Sequence, residues 1–155
     1  MSAALRDYSL QDHESTNLSQ VVTFTVHERL FGTPVSAVRE IRGWQPATAL
    51  PNAEPHVLGV LNLRGSIIVV YDLRSRLGLG STERTRSTVT IVVDAGERLV
   101  GLLADAVSDI LDVEPEDLRD PPVGVMDSDD GLLDKLIVKN DTVISLLNIN
   151  AIVGA

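Results

Sequence analysis

Two apolar stretches near the start of the chain are separated by a short polar break. Val22–Val26 alternates with a period close to two, and Leu30–Val35 follows after the polar residues 27–29. Alternation of this kind on both sides of a break is typical of a β-hairpin. A second hairpin is predicted where the apolar runs 60–63 and 67–73 flank Arg64, Gly65 and Ser66, because glycine permits a tight turn.

Other segments carry different signals. Val35, Val38 and Ile41 lie three residues apart, which predicts one or two turns of helix that end at Gly43. Residues 45–55 contain three prolines and are expected to form an irregular surface loop. The polar segment 80–87 reads as a linker, and residues 114–117, Glu-Pro-Glu-Asp, read as a helix start whose acidic groups complement the helix dipole.

The second half of the chain resembles the first. Glu28–Ile41 parallels Glu97–Ile110 at an offset of 69, with seven of fourteen positions identical. Val22–Val26 parallels Val89–Val93 at an offset of 67, which predicts a longer hairpin loop at Asp94–Gly96. Late in the chain, residues 136–147 repeat the hairpin pattern of residues 61–71. We therefore predict two copies of one β unit.

Composition agrees with a mainly β fold. The chain contains 20 Val and 9 Ile among 155 residues, and β-branched side chains favour strands. Two copies of about five short strands would close into small barrels or a sandwich, which removes exposed strand edges. We expect a disordered tail at residues 1–18 and a domain at 19–153. Its subdomains would cover about 19–86 and 87–148, with ends that the sequence allows to exchange between them.

The net charge of −9 is distributed unevenly. Residues 1–90 hold nine arginines and eight carboxylates, whereas residues 91–155 hold four basic residues and fourteen carboxylates. An acidic surface repels phosphate, so neither nucleic acid nor anionic lipid is expected as the main partner. The asymmetry has two interpretations: an acidic face that aids solubility, or two similar units whose surfaces serve different partners.

Several classes of protein are excluded or disfavoured. The chain has no cysteine, which excludes disulfides, thiolate metal sites and cysteine nucleophiles. No apolar run reaches the roughly 18 residues of a membrane span, and the first seven residues lack the basic and then apolar pattern of a secretory signal. From these features we expect a soluble intracellular protein.

Candidate catalytic and metal-binding residues are few. His13, His27 and His56 show no metal-ligand spacing, and Asp127–Gly131 resembles only a fragment of a calcium loop. Gly78-Leu79-Gly80 is too short for a dinucleotide fingerprint. We therefore expect a binding protein without a cofactor or metal, with a small β-barrel hydrolase or ligand-binding protein as the alternative from another class.

Arg64 is the most distinctive polar residue among the apolar hairpins. At a hairpin tip, its planar guanidinium can donate to the carboxylate or carbonyl oxygens of a partner. An ordinary turn arginine that pairs with Asp72 or Glu40 is the competing interpretation.

Three strings of residues resemble the CheW family of chemotaxis coupling proteins. They are Val38–Trp44 (VREIRGW), Leu58–Arg74 (LGVLNLRGSIIVVYDLR) and Val100–Leu111 (VGLLADAVSDIL). The resemblance runs from about Gln20 to Val153, and the pair of motifs Asn-Leu-Arg-Gly and Asp-Leu-Arg is its most specific part. It implies two packed SH3-like five-stranded β-barrels with short peripheral helices.

The resemblance also implies a function. Members are non-enzymatic adaptors that join the cytoplasmic tip of methyl-accepting chemoreceptors to the regulatory domain of the histidine kinase CheA, in arrays at the membrane. A paralogue serving a pili, surface-sensing or developmental pathway is the alternative within the family. Family members bind receptor in a groove between the barrels, and the kinase at the outer barrel ends, where no residues of this chain are assigned. The matching receptor-binding positions here are Val38, Glu40, Gly59, Asn62, Arg64 and Ile110.

Overall fold

The chain is built almost entirely of short strands. A computed structural model describes residues 19–122 and 131–154, so the predicted tail at residues 1–18 lies outside the described residues. The strands are β1 (Gln20–Val26), β2 (Arg29–Pro34), β3 (Val38–Gly43), β4 (Val57–Leu63), β5 (Ser66–Asp72), β6 (Val89–Asp94), β7 (Leu99–Ala104), β8 (Ala106–Asp112), β9 (Leu118–Arg119), β10 (Leu133–Lys139) and β11 (Thr142–Leu147). Two one-turn helices, α1 (Leu73–Arg76) and α2 (Ile149–Ile152), and two 3-10 turns, Val35–Ala37 and Pro115–Asp117, complete the described elements.

The predicted helix over residues 35–41 is wrong beyond its first turn. Only a 3-10 turn forms, and β3 begins at Val38. The pairing of β3 with β6 shifts register between Val38 and Glu40, which is a β-bulge. The extra residue places Val38 opposite Val93 and Ile41 opposite Ile91, so two apolar residues three apart share one face of a strand. A bulged strand therefore imitates the helical spacing.

The strands form two mixed sheets. The first has the order β8–β1–β2–β11–β10–β9, and the second has the order β3–β6–β7–β5–β4. Each contains one parallel pair, β2 with β11 and β5 with β7. Each sheet takes strands from both sides of residue 86, so the boundary near residue 86 separates the two repeats and not the two sheets.

The two sheets repeat one topology, as expected for two copies of one β unit. The strands β1 to β5 correspond to β6, β7, β8, β10 and β11. Exchanging each of these strands for its counterpart converts one sheet order into the other, apart from the two-residue strand β9 at the edge of the first sheet, which has no counterpart among the described strands. In each copy the first hairpin pairs with two strands of the other copy, namely its third strand and the last strand of its second hairpin. The copies are therefore interlocked, and neither sheet belongs to one copy alone.

The register corrects the predicted alignment of the copies. Thr23 lies opposite Gly32, and Val92 lies opposite Gly101, so the offset is 69 along the whole hairpin. Val26 pairs with Arg29, and the amide of Ala95 donates to Arg98 at 2.8 Å, which gives both hairpins two-residue turns. The longer loop predicted at residues 94–96 is wrong. Shifting one hairpin by two residues leaves its alternation of apolar and polar residues unchanged, so the alternation could not distinguish an offset of 67 from an offset of 69.

Three apolar clusters hold the strands together. The largest lies between the two sheets and includes Phe24 and Phe31 from the first and Ile91 and Leu102 from the second. Each sheet also has a smaller apolar cluster of its own, around Ile137 and Ile144 in the first sheet and around Ile68 and Val92 in the second. We call the first sheet with its cluster the first barrel, and the second sheet with its cluster the second barrel. They confirm the predicted mainly β fold of two packed SH3-like barrels.

Candidate functional site

The tip of the hairpin formed by β4 and β5 presents Arg64 to solvent. Arg64 and Gly65 have φ values of 52° and 90°, which is the left-handed backbone that two-residue hairpin turns require. The side-chain Oδ1 of Asn62 accepts from the amide of Gly65 at 2.9 Å and so holds the turn. The side chain of Arg64 remains 70% exposed. Asn62 therefore acts on the shape of the turn, and Arg64 is the group that a partner can reach.

The carboxylate of Glu40, on β3, accepts a hydrogen bond from the guanidinium of Arg64. The Nη2 atom of Arg64 donates to Oε1 of Glu40, while Nη1 of Arg42 donates to the second carboxylate oxygen at 2.8 Å. Of the two pairings predicted for Arg64, the one with Glu40 forms. Asp72 is instead buried, where its carboxylate accepts from α1 and from Thr82.

The electrostatics of this triad follow from its geometry. The hydrogen bond from Arg64, with a second from Arg42, lowers the pKa of Glu40 below its usual value, and the contact with Glu40 raises the pKa of Arg64. All three groups are charged at neutral pH, which leaves one net positive charge at the end of the second barrel. Such a site suits a partner that supplies a carboxylate or carbonyl oxygens.

Gly59 has a structural role in this part of the barrel. Its φ is +144°, and a Cβ atom added there would lie 2.1 Å from the carbonyl oxygen of Thr48. Thr48 and Val60 exchange backbone hydrogen bonds of 2.9 Å, which dock the loop 45–55 against β4. Glycine is thus required by the close approach of two backbones, and the loop predicted to be irregular is anchored at this one point.

The bulge in β3 separates Val38 from Glu40. Val38 faces Val93 and packs against the large cluster between the sheets, whereas Glu40 faces Val92, which belongs to the cluster inside the second barrel. Cross-strand partners share a face, so these two side chains point to opposite sides of the sheet. Val38 is half-buried and offers a partner only part of its surface.

Ile110 lies on the other barrel. It sits on β8 opposite Val22 and is 56% exposed. Among the described residues, no hydrogen bond or strand pairing joins β8 to the strands that carry the other five predicted residues. Its counterpart in the repeat is Ile41, beside Glu40 and 41% exposed. The structure thus brings Glu40, Asn62 and Arg64 together and leaves Ile110 on a separate strand edge.

Two residues of this region were not predicted. Arg42 is the second side chain that donates a hydrogen bond to Glu40. It lies two residues after Glu40, and side chains two apart on a strand share a face, which was the signal that could have identified it. Ile41 is an exposed apolar residue on the same strand, and its identity with Ile110 in the aligned repeat was the corresponding signal.

The other candidates from the sequence have these positions. His27 lies in the turn between β1 and β2, and His56 stacks on the ring of Tyr71 with centroids 5.9 Å apart. The acidic part of Asp127–Gly131 lies outside the described residues. Within residues 19–122 and 131–154, His, Asp and Glu side chains form no group of three that could hold a metal ion. In the same part of the chain, no helix has the length and apolar character needed to cross a membrane.

Comparison with known proteins identifies the family. The family model described as a CheW-like domain matches residues 20–155, which include every described strand of both barrels. The chain belongs to the CheW family. This membership confirms the resemblance seen in the three sequence strings.

Individual relatives of this CheW-family chain agree with the match. It is 44% identical over 110 residues to the chemotaxis protein CheW of Rhizobium meliloti, with 71% of each chain covered. It is 40% identical over 122 residues to the probable chemotaxis protein CheW of Rhizobium etli, with 79% of this chain and 75% of that protein covered. Among solved structures, the scaffolding protein TtCheW from Thermoanaerobacter tengcongensis matches with a TM-score of 0.82 at 25% identity, covering 88% of this chain and 93% of that chain.

Proposed function

We propose that this chain is a non-enzymatic chemotaxis adaptor that couples methyl-accepting chemoreceptors to the regulatory domain of the histidine kinase CheA. Membership of the CheW family supports this function, as do relatives named chemotaxis protein CheW and a solved relative described as a scaffolding protein. In this role the chain acts in the cytoplasm and is recruited to receptor arrays at the membrane. It needs neither a cofactor nor nucleic acid, and it does not insert into the membrane.

The observation that carries the receptor-binding part of the proposal is the exposed guanidinium of Arg64, held in place by Glu40. A guanidinium fixed before binding loses less conformational entropy when a partner arrives. In our proposal Arg64 and Glu40 set the register of a helical receptor tip, whose apolar stripe contacts Val38 and Ile110 on the edge strands β3 and β8. Asn62 and Gly59 contribute by positioning the hairpin.

The experiment is co-sedimentation of the purified chain with receptor-tip fragments and with CheA, comparing wild type with Arg64→Ala. We expect wild type to bind both partners. Loss of the guanidinium should weaken receptor binding by about 1–3 kcal/mol, because a charge-assisted contact at the centre of an interface is lost.

A matched control is Arg98→Ala, which removes another exposed arginine beside a hairpin turn, on β6–β7. Receptor binding by this variant should equal that of wild type, and both variants should unfold at the wild-type temperature. If wild type sediments with neither partner, the adaptor proposal fails. If Arg64→Ala and Arg98→Ala bind receptor equally well, Arg64 has been assigned wrongly.

A further inference from the structure

A small cavity lies in the second barrel, next to the point where β3 ends. It has a volume of about 140 Å³, and its apolar lining includes Trp44, Ala47, Leu58, Val70 and Leu103. Leu58 and Val70 are each six residues from the arginine at the hairpin tip, which corresponds to about 20 Å along a strand. The cavity is therefore separate from the site at that tip.

The equivalent part of the first barrel is filled. The amides of Trp44 and Val113 donate to the carbonyl oxygens of the residues that precede β6 and β1, so the two side chains occupy matching positions in the repeat. Val113 is buried in the apolar cluster of the first barrel, together with Val21. At the offset of 69 the counterpart of Val21 is Thr90, which lines the cavity. The second barrel thus has an indole and a hydroxyl where the first barrel packs two valines.

Arg84 covers the indole of Trp44 at the mouth of the cavity. Its guanidinium carbon lies 4.4 Å from the ring centroid, which is a cation–π contact, and its side chain is exposed and lines the cavity. Among the described residues no carboxylate forms a salt bridge with Arg84, whereas Arg39, Arg42 and Arg64 each have one. The N–H groups of Arg84 are therefore free for a planar, bidentate contact with a carboxylate from outside the chain.

The size and the charge of the cavity define a class of ligand. A cavity of about 150 Å³ lined by apolar side chains admits a benzene molecule. A ring of that size would contact the aliphatic walls and the indole of Trp44, and a carboxylate on the ring would lie beside Arg84. Residues 83–86, Glu-Arg-Thr-Arg, carry one net positive charge, which favours an anion over a cation at the mouth.

We propose that this cavity binds a small monocarboxylate whose apolar part is the size of a benzene ring, with the carboxylate paired to Arg84. The ring is buried against Leu58, Val70 and Leu103, and the charge stays at the mouth, where solvent and the guanidinium both reach it. This site goes beyond the adaptor function and depends on neither receptor nor kinase binding.

The experiment is titration of the isotope-labelled full chain with benzoate at neutral pH and constant ionic strength, with benzamide as the uncharged probe of the same shape. Trp44 is the chain's one tryptophan, so its indole N–H gives a single signal in the proton–nitrogen correlation spectrum. We expect this signal to shift and saturate with a Kd of about 1 mM for benzoate, a value in the range for a ligand of this size. Benzamide should bind about tenfold more weakly, because the charge-assisted contact is lost.

Three variants locate the binding site. Arg84→Gln should weaken benzoate binding about tenfold and leave benzamide binding unchanged, which separates loss of the charge from a general change of the cavity. Ala47→Phe fills the cavity and should abolish the binding of both probes. Arg98→Gln, which changes another exposed arginine of the second barrel, is the matched control and should bind both probes as wild type does.

Thermal unfolding of each variant near the wild-type temperature shows that the fold is kept, and if Ala47→Phe does not fold, the comparison of Arg84→Gln with wild type still decides. A Trp44 signal that does not saturate with benzoate up to about 20 mM overturns the proposal. Equal affinity of wild type and Arg84→Gln for benzoate also overturns it, as does benzoate binding by a folded Ala47→Phe variant. Co-sedimentation with receptor and CheA is a separate measurement, so failure here leaves the adaptor proposal standing.

Discussion

The guanidinium of Arg64 is mostly exposed to solvent, yet Glu40 fixes its position and Arg42 fixes Glu40 in turn. Exposed ion pairs add little to the free energy of unfolding, because solvent screens them. The value of this triad therefore lies in orientation: a partner meets a charged fork that is already held at the hairpin tip. For that reason the substitution of Arg64 is expected to affect binding and not thermal unfolding.

Gly59 offers a test of backbone packing at the same scale. Gly59→Ala should lower the free energy of unfolding by about 2–4 kcal/mol, because the backbone is left-handed and the new Cβ would overlap the carbonyl of Thr48. The measurement is urea unfolding followed by far-UV circular dichroism.

Gly43→Ala is the matched control for that variant. Gly43 also lies on a strand, has no positive φ, and has no atom within 4 Å of an added Cβ. Its free energy of unfolding should stay within about 0.5 kcal/mol of wild type. Equal stability of the two variants would contradict this prediction, because it would show that the backbone around Gly59 and Thr48 moves apart to admit the methyl group without a loss of stability.

At the scale of elements, the two copies end their last long strand in the same way. Asp72 caps α1 after β5, and Asn148 caps α2 after β11. The two caps differ in what else they hold. Asp72 also accepts from the amide and the hydroxyl of Thr82, at 3.1 and 2.6 Å, and so ties the segment 80–87 to the second barrel. The predicted linker is thus fastened to the fold near its start.

The difference between the caps predicts unequal effects of the same substitution. Asp72→Ala should lower the free energy of unfolding by about 2–4 kcal/mol, because it leaves the capped amides and Thr82 without their buried acceptor. Asn148→Ala removes a single acceptor, 3.3 Å from the amide of Ala151, and should cost about 0.5–1 kcal/mol.

Urea unfolding of the two variants and of wild type, under one set of conditions, measures this difference. Equal losses would mean that the contacts of Asp72 with Thr82 contribute nothing beyond the helix cap.

At the scale of the whole molecule, the strand exchange joins both barrels into one cooperative unit. The first hairpin of each copy is completed by strands of the other copy, and the largest apolar cluster takes side chains from both sheets. Unfolding one barrel would expose the apolar face of the other and break strand pairings in both. We therefore expect a single unfolding transition.

The chain's one tryptophan allows this to be measured. Trp44 follows β3 in the second barrel, where its ring lies 4.4 Å from the guanidinium of Arg84, so its fluorescence reports on that barrel, while far-UV circular dichroism reports on both. The two signals should share one urea midpoint. Ile152→Ala, a change in the cluster between the sheets, should lower both midpoints equally. A fluorescence transition that separates from the dichroism transition would contradict the single unit.

Much of this architecture can be predicted from local patterns in the sequence. Alternation identified the hairpins at 22–35 and 60–73, the β-branched composition indicated strands, and the repeated Glu-Arg-Leu and glycine positions revealed two copies of one unit. The resemblance to the CheW family rested on the same residues, and the family model confirms it. Arg64 could be placed at a hairpin tip because a turn that needs positive φ is encoded by the glycine beside it.

What the sequence could not decide depends on pairing between distant strands. The bulge in β3 imitates a helical spacing, and the offset between the copies is ambiguous by two residues, because alternation is unchanged by such a slip. The partner of Arg64 and the separation of Ile110 from Glu40 follow from which edge strand packs beside which hairpin. The sequence by itself determined the hairpins, the repeat and the family, since all three are carried by local patterns. Only the tertiary structure decided which side chains meet, since strand exchange brings together residues that lie far apart in the chain.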